Sequence, residues 1–169
     1  MKRTTLILTG LTLCALLVAC KSNAPIGVEK IQYGVPAGGI PVDPVHGKET
    51  WFAYGAMSGV EGTPANGVAD IHRFEDGHYL HTASLNIAIT ADGTFYEAWL
   101  TDGEKMISTG HMTNPFGDVR HQVRFESNTD VEKYLKVVVT LEKDDGNPVP
   151  GKHVAEGTMK VTVRPGARK

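Results

Sequence analysis

The sequence predicts an all-β fold, an antiparallel β-sandwich of about eight short strands that is immunoglobulin-like in general architecture. Two observations predict it. Short runs rich in β-branched and aromatic residues recur from Thr50 onward, and no convincing amphipathic helix separates them. Asp-Gly pairs at 76–77, 92–93, 102–103 and 145–146 punctuate these runs. Because Asp-Gly tolerates the positive φ angles of tight hairpin turns, the runs are expected to pair as antiparallel neighbours.

The strands are expected at 50–58, 67–75, 78–90, 94–101, 105–112, 119–127, 134–142 and 156–163. Two-residue turns at 76–77, 92–93 and 102–103 place one set of side chains on a single buried face: Tyr79, Leu85, Ile87, Ile89, Tyr96, Ala98, Leu100 and Ile107. The later strands alternate in the same way, with Val123, Phe125, Val137, Val139, Leu141, Met159, Val161 and Val163 on their apolar side. This alternation is typical of strands that are buried on one face.

The first nineteen residues have the layout of a bacterial secretory signal. Lys2 and Arg3 precede an uncharged stretch at 4–19, which is short for a helix that must cross about 30 Å of hydrocarbon. The stretch ends in Leu17-Val18-Ala19-Cys20, which resembles a lipobox. The resemblance implies that Cys20 becomes the mature N-terminus and carries lipid, including palmitate. Two or three acyl chains, at about 0.8 kcal/mol per buried CH₂, would anchor the protein to a membrane.

The remainder divides into a tether and a domain. Residues 20–49 are rich in Pro and Gly and show no sustained periodicity, so we expect a tether there and the β-sandwich at 50–169. The expected location is outside the cytoplasmic membrane, on the outer face of the inner membrane or on the outer membrane.

Composition and motifs exclude several function classes. The chain has 17 Lys and Arg against 19 Asp and Glu, without the basic excess of a nucleic-acid binder. Its two cysteines, Cys14 and Cys20, precede the β-rich part, which therefore has no disulfide or thiolate metal site. There is no Gly-x-Ser-x-Gly, His-Glu-x-x-His or P-loop pattern, so we expect a protein that is not an enzyme and holds no cofactor.

Several short motifs follow one another between Phe95 and Val163. They are Tyr96-Glu97-Ala98-Trp99-Leu100, Asp102-Gly103, Ser108-Thr109-Gly110, Val137-Val138-Val139-Thr140-Leu141-Glu142 and Gly146-Asn147-Pro148-Val149-Pro150. In this order they resemble the extracytoplasmic C-terminal domain of anti-sigma-K factors. The resemblance implies a compact β-sandwich that senses or modulates without catalysis. Members of that family hold a sigma factor through a cytoplasmic segment that precedes a membrane helix. Since this chain begins with a signal, we expect no direct sigma-factor contact.

Two candidate sites remain on the predicted strands. The hairpin at 76–77 would place His72 opposite His81, with Cβ atoms about 4.5–5.5 Å apart. Such a pair, with Asp70 or Met57 as a third ligand, would make the protein a periplasmic copper- or zinc-binding lipoprotein. A second possible copper set is His111, Met112 and His121, which flank a loop.

Trp99 is the other candidate, because it lies among polar residues on the face opposite the predicted core. An exposed indole there would stack on a glycan or on an envelope protein, whereas a covered indole would be structural. The sequence therefore favours a membrane-anchored, non-catalytic binding or sensing module, with metal binding as the alternative.

Overall fold

The predicted all-β antiparallel fold is confirmed in the computed structural model, which describes residues 39–164. The strands are β1 Val42–Asp43, β2 Gly47–Gly59, β3 Asn66–Phe74, β4 Tyr79–Asn86, β5 Thr94–Thr101, β6 Met106–His111, β7 Arg120–Ser127, β8 Lys136–Lys143, β9 Lys152–Thr158 and β10 Lys160–Val161. Cys20, the signal and most of the expected tether lie outside the described residues. Within residues 39–164, no helix is long and apolar enough to span a membrane.

All strands belong to one antiparallel sheet in the order β6-β5-β8-β9-β2-β3-β4-β7, and the short strands β1 and β10 pair with β2. The two outermost strands, β6 and β7, approach each other. Thr113, just after β6, exchanges two backbone hydrogen bonds of 2.7 and 2.9 Å with Gln122 in β7. The sheet is therefore curled until it is nearly closed, and its inner face surrounds one core.

The core is built from alternate residues of the long strands, as the period of two requires. Its most deeply buried aliphatic side chains come from four different strands: Ile71, Leu85, Leu100, Val137 and Val139. Burial of each such side chain stabilises the fold by about 1.5–3 kcal/mol. Val131 and Tyr134, from the segment between β7 and β8, pack into the same core.

Close backbone contact between β2 and the C-terminal strands requires a glycine. A Cβ atom on Gly55 would lie 2.3 Å from the backbone carbonyl oxygen of Thr158. Gly55 belongs to β2 and Thr158 to β9, and because both strands are paired in the sheet, neither backbone can move away freely. Gly55 lies between the residues of β2 that pair with β10, Ala53 and Tyr54, and those that pair with β9, which begin at Met57, so it permits both strands to pair with β2.

The predicted register of the first hairpin is wrong by one residue. His72 pairs with Leu80, and His81 pairs with Ile71. The backbone N–H of Phe74 donates to the carbonyl oxygen of His78 at 2.9 Å, so the turn encloses three residues, 75–77, rather than two. A shift of one residue moves every side chain of one strand to the other face relative to its partner.

The predicted hairpin between the strands at 78–90 and 94–101 is also wrong. β4 pairs with β3 and β7, whereas β5 pairs with β6 and β8, so residues 87–93 cross from one part of the sheet to another. Ile89 lies in this crossing and is 59% exposed, contrary to the prediction. The β5–β6 hairpin does form, but Leu100 rather than Ala98 pairs with Ile107. That shift of two residues preserves the buried face.

The ends of the sheet differ from the prediction as well. β2 begins at Gly47, inside the expected tether, and the predicted strand at 156–163 is replaced by β9 and β10. Met159 is buried as predicted, but Val161 and Val163 are exposed. β10 has only two residues, which pair with Ala53 and Tyr54 in the middle of β2.

Candidate binding site

A network of charged side chains surrounds His72 on the outer side of β2 and β3. The imidazole Nδ1 lies 2.6 Å from Oε2 of Glu49, and Nε2 lies 3.3 Å from Oδ1 of Asp70. Arg164 donates to both carboxylate oxygens of Glu49, at 2.5 and 3.0 Å. The side chain of Glu49 is 4% exposed and lies at a β-bulge, where the pairing of β2 with β3 shifts.

The charges in this network support one another. Burial of the His72 ring opposes its positive charge, but hydrogen bonds and charge from Asp70 and Glu49 outweigh burial and raise the pKa of His72. Burial also acts to raise the pKa of Asp70, but hydrogen bonds from His72 and Thr82 lower it overall. Both ring nitrogens of His72 are thus engaged by carboxylates, and neither is left for a metal ion.

His81 lies on the other face of the sheet from His72. Its ring is fully buried, and Nδ1 donates to the backbone carbonyl of Asp70 at 2.7 Å. Nε2 has no hydrogen-bond partner among the described residues. Burial lowers the pKa of His81, so the ring is neutral and Nδ1 carries its single proton. The structure does not bring His72 and His81 together, because the register that would do so is wrong.

The proposed third ligands do not complete a metal site either. Met57 is buried in the core, and Asp70 is already bonded to His72 and Thr82. Within the part of the chain that the structure describes, no group of three or more His, Cys, Asp or Glu residues is arranged to hold a metal ion.

Phe52 is the aromatic residue that the network covers, whereas Tyr54 beside it is 52% exposed. The guanidinium carbon of Arg164 lies 3.8 Å from the ring centroid of Phe52, and the His72 ring lies 4.8 Å from it. Tyr54 stacks on Phe52 at 5.6 Å. The network therefore satisfies its own polar groups, and its evident role is to fasten the segment at Arg164 to β2 and β3.

Of the two alternatives for Trp99, the structure has the covered one, since only 9% of the residue is accessible. The indole Nε1 donates a 2.8 Å hydrogen bond to Oγ1 of Thr140 in the adjacent strand β8. Val138 and Thr140 on the same side of β8 are buried too, so this part of the outer face is covered. The geometry supports the structural interpretation of Trp99.

A polar cleft, which we call the seam cleft, lies where β6 approaches β7. It has a volume of about 650 Å³. Its walls come from β4, β6, β7 and the segment just after β6: Thr82, Ser84, Thr109, Gly110, His111, Thr113, Gln122, Val123 and Arg124. β6 and β7 follow each other in the chain, whereas β4 precedes both and joins the cleft through its pairing with β7.

The seam cleft differs from the His72 network because part of its polar lining is unengaged. Ser84, His111 and Gln122 are exposed, and their side chains form no hydrogen bond to another described residue. The His111 ring instead stacks on Phe95, with centroids 3.8 Å apart and planes inclined by 27°. Arg124 donates from Nε and Nη2 to Glu126, at 2.9 and 2.6 Å. The cleft therefore offers a hydroxyl, an amide and a fixed flat ring to a polar ligand.

Sequence reasoning missed this cleft, although some of its signal was visible. Polar residues alternate in β4 and again in β7, as expected for outward faces, but nothing local in the sequence pairs those two strands. In the possible copper set of His111, Met112 and His121, the exposed His111 lies apart from the two buried residues. His111 faces outward, whereas Met112 is in the core and the buried His121 ring meets Tyr96 edge-on at 5.0 Å.

No protein-family model matches the chain, and no curated protein or solved structure matches it significantly. The similarity to anti-sigma-K factors stays a prediction from the sequence motifs.

Proposed function

We propose that this protein is a lipid-anchored extracytoplasmic protein whose β-domain binds a ligand without catalysing a reaction, and that the seam cleft is its binding site. The observation that carries the proposal is the unengaged polar lining of a preformed cleft. The polar cluster around His72, by contrast, already pairs its charges internally. Binding sites combine a concave shape with a few unengaged polar groups, and in the described residues the seam cleft has both.

The anchoring part of the proposal depends on the N-terminal sequence. Leu17-Val18-Ala19-Cys20 follows an uncharged stretch and a basic start, which is the arrangement of a lipoprotein signal. A lipid on Cys20 would hold the β-domain at a membrane surface, where envelope proteins and glycans are the available partners. The motif resemblance to anti-sigma-K factors favours sensing there, without direct contact with a sigma factor.

Replacement of the anchoring thiol tests location. Cys20→Ala is expected to release the protein from the membrane fraction, because the thioether that carries the lipid requires the Cys20 sulfur. Mass spectrometry of the parent protein should show a lipidated Cys20 as the first residue. An intact Met1 with an unmodified thiol, or a Cys20→Ala protein that stays in the membrane, would contradict the proposal.

Site-specific photocrosslinking in the native envelope tests binding. A photoreactive residue at Ser84, which is exposed and lines the seam cleft, is expected to capture an envelope component. The matched control is the same residue at Ser58, which is exposed on β2. Equal labelling at both positions, or no adduct at Ser84, would show that the cleft is not a binding site.

A further inference from the structure

We infer that the seam cleft binds a saccharide of uncharged sugar units, an inference that rests on the proposed function and names its ligand class. The volume of about 650 Å³ falls within the range of about 300–1,000 Å³ that is typical of small-ligand sites. The lining combines hydroxyl and amide groups with apolar surface, which suits a ligand that carries both hydroxyls and C–H groups.

The charges around the cleft favour an uncharged ligand. No Asp or Glu lines it, so it lacks the oxygen ligands that a hard metal cation needs. Arg124 is the one permanently cationic residue of the lining, and its guanidinium is paired with Glu126 at 2.6 Å. A highly charged anion would have to compete with Glu126, whereas a sugar hydroxyl can accept from the guanidinium without breaking that ion pair.

The His111 ring gives the cleft a flat surface in a fixed plane. One side of the ring packs on Phe95, which restricts its rotation. The C–H groups on one face of a pyranose are apolar and pack against flat aromatic rings, while its hydroxyls point sideways toward polar neighbours. Ser84 and Gln122 supply such neighbours across the cleft, with a hydroxyl and an amide that both donate and accept.

Direct titration of the purified protein tests the inference. The probes are cellotetraose, maltotetraose and chitotetraose as uncharged saccharides, with tetragalacturonate as the acidic one. We expect at least one uncharged probe to bind, with resonances of Gln122 and His111 shifting on addition. Gln122→Ala should weaken binding about tenfold, since one or two hydrogen bonds are lost. Ser58→Ala, on β2, should leave it unchanged.

A matched pair of substitutions at His111 tests the role of the flat ring. His111→Ala should weaken binding about tenfold, whereas His111→Phe should retain most of it because the ring remains. Binding of tetragalacturonate alone, binding that ignores both Gln122→Ala and His111→Ala, or no binding of any probe would each overturn the inference. An adduct at Ser84 without saccharide binding would support the proposed function and contradict only the inference that the ligand is a saccharide. If both the photocrosslinking and the titration fail, the proposed binding function and the saccharide inference are both contradicted.

Discussion

Replacement of His81 by leucine should make the fold less sensitive to acid. The His81 ring is fully buried, and its Nε2 has no partner among the described residues, so a proton added there would place an unpaired charge in the core. Burial therefore lowers the pKa of His81 below its ordinary value of 6.5. Leucine has a similar size and carries no ionisable group.

The sign and size of the pH effect of His81 on stability follow from proton linkage. The unfolded chain takes up a proton at His81 below pH 6.5, whereas the folded chain takes it up only at lower pH. Stability from this residue is therefore present above pH 6.5 and lost as the pH falls. At about 1.4 kcal/mol per pH unit, the loss reaches about 2 kcal/mol at about pH 5 if the folded ring is still neutral there.

Urea unfolding of the parent and of His81→Leu, followed by tryptophan fluorescence at about pH 8 and about pH 5, measures this term. We expect the free energy of unfolding of the variant, relative to the parent, to rise by up to about 2 kcal/mol between the two pH values. The comparison cancels the titration of groups that do not interact with His81. Equal pH dependence in the two proteins would refute the reasoning.

Three further variants test other parts of the structure by the same unfolding measurement. His72→Gln should destabilise the fold most in acid, because the His72 imidazolium forms its ion pairs only while it is protonated. The loss of stability should become smaller as the pH rises through the raised pKa of His72. A loss that does not depend on pH would contradict the ion pairs. Trp99→Phe should cost about 1–3 kcal/mol because it removes the donor to the buried Thr140 hydroxyl, and an unchanged midpoint would argue against that bond. Gly55→Ala should cost about 1–3 kcal/mol because its Cβ meets the Thr158 carbonyl, and full stability would show that the contact is loose.

Local alternation in the sequence predicted which side chains are buried better than it predicted which strands pair. Leu85 and Leu100 were correctly placed in the core, although their strands are not neighbours as expected. The side of a strand that faces the core depends on a period of two that is present within each segment. Strand neighbours depend on the closure of the whole sheet, which an Asp-Gly turn does not specify.

The two candidate sites depended on features that the local sequence does not specify. The predicted pairing of His72 with His81 assumed a two-residue turn, and one additional turn residue moved the rings to opposite faces. Trp99 lies on the outward face of β5, but the side of β8 beside it carries buried residues, so that face is covered there. The seam cleft could not be predicted, since it depends on the pairing of β4 with β7, which no local feature of the sequence specifies.

The pairing of β2 has a consequence for how the chain acquires its structure. One edge of β2 pairs with β3, the next strand in the chain. On the other edge, Met57 pairs with Gly157, which lies near the C-terminus. When the chain emerges from its N-terminus first, the part of that edge at Met57 therefore stays unpaired until almost the whole chain has emerged. Bare edges recruit strands from other molecules. Protection by a chaperone during this interval matters more for such a topology than for one closed by successive hairpins.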